Sequence, residues 1–116
     1  MNIQENKCDE VLVLTLTGDL MGGPETEKLQ GRLYEAIRQG DVQIVIDMTS
    51  VNWMNSAGLG MLMAGMTTLR SSEGDLRLSN LSERVKRPIQ ITKLDSVIKI
   101  YDHVDDAVKS FEEGGS

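Results

Sequence analysis

Ile44-Val45-Ile46-Asp47-Met48-Thr49-Ser50-Val51-Asn52-Trp53-Met54-Asn55-Ser56-Ala57-Gly58-Leu59-Gly60 is the stretch that decides how this chain folds. Val42 to Asp47 is a short, mostly apolar run ending in a carboxylate, the composition of a strand inside a sheet covered on both faces. From about Ser56 to Arg70 the period changes: Leu59, Leu62, Met63, Met66 and Leu69 make an apolar stripe at helical spacing. Thr49 to Asn55 reads as the linker between them. The first turn of this helix is rich in glycine. Gly58, Gly60 and Gly65 cost about 1 kcal/mol each against Ala, so a close backbone approach or a partner surface is the reason to expect for them.

Working outward toward the N-terminus, Val11-Leu12-Val13-Leu14-Thr15-Leu16-Thr17 predicts a buried strand stopped by Gly18-Asp19, with Ile3 to Cys8 as a weaker hairpin partner. Pro24, with Glu25 and Glu27 after it, opens a helix that carries Leu29, Leu33, Ala36 and Ile37 on one stripe and ends at Gly40. Toward the C-terminus, Ser72 to Asp75 is a turn and Leu76 to Ser79 alternates like a strand. Ser82 can cap a short helix with Val85 and Ile89 inside, which Pro88 should shorten or kink. Val97 to Tyr101 is the last strand candidate, and Asp102 precedes a helix with Val104, Ala107, Val108 and Phe111 on one side. The order is two strands, then helix and strand in alternation to a final helix. That predicts an α/β fold: a mixed, mostly parallel sheet of about five strands with an N-terminal hairpin and about four helices.

Composition removes several classes of function. At 116 residues the expectation is one domain, residues 1–113, with 114–116 as a flexible tail. One cysteine, Cys8, and one histidine, His103, leave no Cys/His zinc site, and nothing calls for a cofactor. A net charge of −6 repels phosphate backbones and disfavours nucleic acid. The chain opens on no export signal and carries no apolar run of about 20 residues, so the expected setting is the cytoplasm, away from membranes.

Ser56 is the residue that folding alone leaves open. A hydroxyl at a helix start can be an N-cap that accepts a bond from a first-turn amide. It can instead be a phosphoacceptor, since a phosphate there meets free N–H groups and the positive end of the helix dipole, while Gly58 and Gly60 keep the surroundings open. The third possibility, a serine nucleophile, fails on its neighbours. The segment is not Gly-x-Ser-x-Gly, and His103 is distant in sequence with no supporting context. No Gly-x-x-x-x-Gly-Lys-Ser/Thr or Gly-x-Gly-x-x-Gly nucleotide cradle is present either.

The run from Ile44 to Gly60 resembles the STAS domain family, specifically the bacterial anti-sigma factor antagonists, whose pattern is an apolar strand ending in Asp followed by Asp-Ser-Ser-Gly-Leu-Gly. Leu14-Thr15-Leu16-Thr17-Gly18-Asp19-Leu20, Leu76 to Leu94, and Ile100-Tyr101-Asp102 leading into Val104-Asp105-Asp106-Ala107-Val108 extend the resemblance over nearly the whole chain. It implies the STAS fold and a switch protein rather than an enzyme. In such systems the unphosphorylated antagonist binds an anti-sigma factor that is also a serine kinase with a Bergerat-type ATP site, and so frees a sigma factor. The kinase phosphorylates the serine that opens the second helix, here Ser56, and a metal-dependent serine phosphatase reverses this. The implied partner surface comprises Met21, Gly22, Trp53, Met54, Asn55, Ser56, Gly58, Leu59 and Met61, on a monomer or weak dimer. The other role open to such a domain is an adaptor subunit, not phosphorylated, of a stressosome-like scaffold or a lipid-transport ATPase complex.

The chain departs from the family pattern at three positions. Asn55 and Met21 stand where the family commonly has Asp, and Ala57 replaces the second serine, so Ser56 is the only hydroxyl of the motif. Met63 and Met66 fall on the core stripe, whereas Met61 is expected to face outward. Trp53 reads equally as a contact residue and as half-buried support. Asp47 is expected to brace the turn after its strand, His103 to be exposed, Cys8 to be structural, and Arg84, Lys86 and Arg87 to form a solvated helix face.

Overall fold

The computed structural model describes residues 1–113; the tail expected at 114–116 lies outside them. Strands β1 (Asn2–Cys8) and β2 (Val11–Thr17) form the antiparallel hairpin, turned at Asp9 with φ 56°. Strands β3 (Gln43–Ser50), β4 (Asp75–Ser79) and β5 (Ile100–Tyr101) then add in parallel, in the spatial order β1-β2-β3-β4-β5. Each crossover steps the same way along the sheet. Right-handed connections therefore put α1 (Gly23–Arg38), α2 (Ser56–Ser71) and α3 (Glu83–Ile91) on one face. The last helix, α4 (Val104–Glu113), covers the other.

The apolar side chains divide accordingly, because successive residues of a strand point to opposite faces. Leu12, Leu14, Leu16, Ile44, Ile46, Met48, Leu76 and Leu78 pack against Leu29 and Leu33 of α1, Leu62, Met66 and Leu69 of α2, and Val85 and Ile89 of α3. Val11, Val13 and Val45 meet Ala107, Val108 and Phe111 of α4. The α4 face also holds a buried polar group. Arg77 Nε donates to Asp75 Oδ2 at 3.0 Å and its Nη1 to Ser110 Oγ at 2.6 Å, while its guanidinium lies 3.9 Å from the centre of the Phe111 ring. Arg70 donates to the other oxygen of Asp75 at 2.9 Å. On the opposite side Glu5 pairs with Arg32 and Lys7 with Asp41, tying the edge strand to α1 and the loop after it.

Three boundaries differ from those the sequence predicts. β3 continues through Ser50, which shortens the expected linker to five residues, 51–55. The last strand is Ile100–Tyr101 rather than Val97 to Tyr101. The amides of Val97 and Ile98 both bond to Leu94 O at 2.9 Å, closing a tight turn after the short helix Leu94–Ser96 and leaving neither amide for the ladder. α3 runs three residues past Pro88 before ending at Ile91.

Candidate functional site

Two loops meet at the carboxyl edge of β2 and β3, and their pairing builds the site. Leu20 N donates to Trp53 O at 2.9 Å and Asn55 N to Leu20 O at 3.1 Å, so the loops run side by side like a short piece of parallel sheet. Asp19 Oδ1 accepts from the amides of Asn52 and Trp53, both at 3.1 Å, and holds the β3–α2 loop from the other side. Leu20 is fully buried beneath the seam. Gly22, at φ 85°, takes a conformation that favours glycine and donates its N–H to Thr26 Oγ1 at 2.8 Å in the first turn of α1.

The seam determines which residue caps α2. Asn55 is held extended by its bond to Leu20 O, so the helix begins one residue later. Its Oδ1 accepts from Gly58 N at 3.0 Å, and its Nδ2 donates to Met21 O at 2.9 Å. The capping role open to Ser56 therefore belongs to Asn55. Ser56 is the first residue of α2, exposed, and its hydroxyl makes no hydrogen bond among the described residues. The amides of Ser56 and Ala57 lie in the first turn, where a helix offers N–H groups without intrahelical partners. No acidic side chain stands in that turn.

The other residues assigned to this surface separate into rim and support. Met21 and Trp53 are exposed, at 51% and 50% of their full accessibility. Gly58 is buried against the Leu20 backbone, where a Cβ would sit 2.8 Å from the carbonyl carbon. Met54, Leu59 and Met61 are buried in the core, which corrects the outward position expected for Met61 and leaves them beneath the surface rather than on it. The reason is the place of α2. It is the middle helix of three on one face, so its buried arc is wider than a single stripe, and Gly65 lets Leu33 of α1 come close. Gly60 faces open space, with nothing within 4 Å of an added Cβ.

One neighbour of the site escaped the sequence reading. Arg84, at the start of α3, places its guanidinium 4.0 Å from the centre of the Trp53 ring, a cation–π contact that joins α3 to the β3–α2 loop. Nothing in the spacing of Arg84, Lys86 and Arg87 signals this, since it depends on how α3 lies relative to a loop some thirty residues earlier.

Asp47 does brace its turn. It accepts from Thr49 N at 3.1 Å, Thr49 Oγ1 at 2.6 Å, Asn80 Nδ2 at 3.1 Å and Thr15 Oγ1 at 3.5 Å. Partial burial by itself pushes its carboxyl upward, but the bonds from Thr49, Asn80 and Thr15 together outweigh that and hold it below the ordinary value. None of these bonds reaches α2. His103 is exposed, as expected. Among the described residues no helix is long and apolar enough to cross a membrane.

A sheet wound in one direction, three helices against one, and an exposed serine opening the second helix fit the STAS domain family that the sequence resembles. The profile of that family, described as STAS domain, matches residues 2–107, and the chain belongs to the family. In sequence it is similar to the anti-sigma-B factor antagonist of Bacillus subtilis, 29% identical over 100 residues that span 86% of this chain and 88% of that protein. Among solved structures it is similar to an anti-sigma factor antagonist from Mycobacterium paratuberculosis, with a TM-score of 0.83 at 24% identity over 94% of this chain and 92% of that one. It is also similar to the Bacillus cell fate determinant SpoIIAA in its phosphorylated form, with a TM-score of 0.73 at 22% identity over 95% of this chain and 99% of that one. These likenesses extend along nearly the whole chain.

Proposed function

We propose that this protein is an anti-sigma factor antagonist, a phosphorylation-gated binding switch of the cytoplasm with no catalytic activity of its own. Unphosphorylated, it binds an anti-sigma factor that is also a serine kinase, and so frees a sigma factor. The kinase transfers the γ-phosphoryl group of ATP to Ser56 Oγ, the hydroxyl proton leaves, and ADP is released. A metal-dependent serine phosphatase restores the hydroxyl.

The observation that carries this reading is the state of Ser56: an exposed hydroxyl without hydrogen bonds at the first position of α2, on a helix end whose cap is already supplied by Asn55. Modification there disturbs no cap, and the added charge of about −1.5 to −2 meets the positive end of the helix dipole. The fold need not change. A partner surface fitted to a neutral hydroxyl would instead meet a desolvation cost and repulsion from any facing carboxylate. The family and the antagonist relatives support the same reading, and the SpoIIAA comparison supplies a phosphorylated member of the fold.

The test is intact mass after incubation with the cognate anti-sigma kinase and ATP. The expected result is one added phosphate on the wild type and none on Ser56→Ala, with Ser56→Asp losing affinity for the kinase. A wild type that gains phosphate no faster than Ser56→Ala refutes the proposal. A Ser56→Asp variant that still binds as the wild type does points to the constitutive adaptor role.

A further inference from the structure

We infer that the partner-binding surface extends from the Ser56 rim along the outer face of α3, as a basic and apolar strip that receives an acidic surface of the anti-sigma partner. The inference rests on the antagonist reading and states which side chains anchor the complex and what they meet. Five large hydrophobic side chains are exposed among the described residues, and three of them, Met21, Trp53 and Ile91, border this one surface. Met21 and Trp53 sit on the two paired loops beside Ser56. Arg84 covers the Trp53 ring from α3. Arg87, Pro88 and Ile91 follow Arg84 at helical offsets of three, four and seven, which puts all four on one side of α3, opposite the buried Val85 and Ile89.

Charge decides the occupant. The chain carries a net charge of −6, yet the residues of this strip that carry charge, Arg84 and Arg87, are both cations. Arg84 and Arg87 have no ion pair among the described residues. Asp19 accepts the amides of Asn52 and Trp53, and Glu83, exposed and four residues before Arg87, borders the strip on the Arg87 side and lies about 100° around the helix from Arg84. Asn55 and Met21 are neutral.

Stacking on Trp53 also prepares Arg84 for its role. The ring holds the guanidinium plane in place, and its edge, with N–H groups in a fixed fork, stays available to a carboxylate, so less side-chain freedom is lost on binding. Tryptophan, arginine and methionine are the residue types enriched where interfaces draw their energy. An acidic face carrying an apolar ridge fits this strip; a basic surface does not.

Calorimetric titration of the full-length protein with its cognate anti-sigma kinase, at about 50 mM and 300 mM salt, tests this. Arg84→Glu and Trp53→Ala are each expected to weaken binding about tenfold or more, and Ile91→Ser about threefold. Raising the salt should weaken the wild type more than Arg84→Glu, because the variant has already lost the attraction that salt screens. Thermal melts within a few degrees of wild type show that the variants remain folded. Wild-type affinity and salt dependence in Arg84→Glu and in the Arg84→Glu/Arg87→Glu pair, while Ser56→Asp still abolishes binding, overturn the inference and leave the switch standing. Failure of the wild type itself to bind the kinase overturns both.

Discussion

Gly58 and Gly60 are two residues apart near the start of α2, and alanine at each is expected to move stability in opposite directions. A Cβ on Gly58 would stand 2.8 Å from both the carbonyl carbon and the Cβ of Leu20, and nearer still to its carbonyl oxygen. Ordinary contact begins at 3.4 Å, and the obstacle is backbone rather than the end of a flexible side chain. The two loops would have to part by at least about half an ångström, enough to forfeit a good share of the packing there. The bond from Asn55 N ends on the same oxygen and contributes about 1 kcal/mol. Displacing the fully buried Leu20 costs a further 1–3 kcal/mol or so, and the better helix propensity of alanine returns about 1 kcal/mol. The net loss is about 2 kcal/mol, or roughly 10 °C in Tm for a domain of this size. Gly60 meets nothing within 4 Å, so Gly60→Ala should gain about 0.5–1 kcal/mol. Urea unfolding followed by far-ultraviolet circular dichroism measures both. If the two substitutions shift the midpoint in the same direction, the close approach of Leu20 is not what selects glycine at 58.

Three further outcomes are expected. Asn55→Ala loses the cap on Gly58 and the bridge to Met21 and should cost about 1–2 kcal/mol, whereas Asn55→Asp keeps the cap, gains from the helix dipole and loses only the bridge, so its cost should be smaller; urea midpoints rank the two. Arg77→Ala removes the bonds to Asp75 and Ser110 and the contact with Phe111, and should cost about 2–4 kcal/mol in the same assay, with α4 amides exchanging faster than those of α2. Asp47 has its carboxyl held below the ordinary value in the folded state, so its stabilising contribution is complete above about pH 3.9, the unfolded value, and is lost as the pH falls through the lower folded value. Asp47→Asn should therefore flatten the acid side of a stability profile measured between pH 2 and 7, and an unchanged slope would contradict the bracing role.

Periodicity carried the secondary structure because it reports which side of an element is buried, and that is a local property. It placed β2, β3 and α2 and the order of strands and helices, and with them Ser56 at a helix start. It misjudged the start of the last strand, where the hydrogen bonds of a tight turn take the amides the strand would need. The amides of Val97 and Ile98 go to Leu94, three and four residues back, rather than to a strand partner. It also misplaced Met61, because a stripe model assumes a helix with one neighbour and α2 has a sheet beneath it and helices on both sides.

What the sequence determined by itself is the alternation that makes a singly wound α/β sheet, the hydroxyl that opens α2, and the neutral residues Asn55 and Met21 beside it. What the tertiary structure alone decided is how those residues are used. As a sequence feature Asn55 counts only as a missing carboxylate. In the fold its amide is bound at both ends, to Gly58 N and to Met21 O, so it locks two loops together and leaves the serine free. Arg84 likewise reads as a solvated charge until α3 packs and sets it over Trp53. Both facts depend on contacts between residues some thirty positions apart, and no local pattern can report a distance that only packing creates.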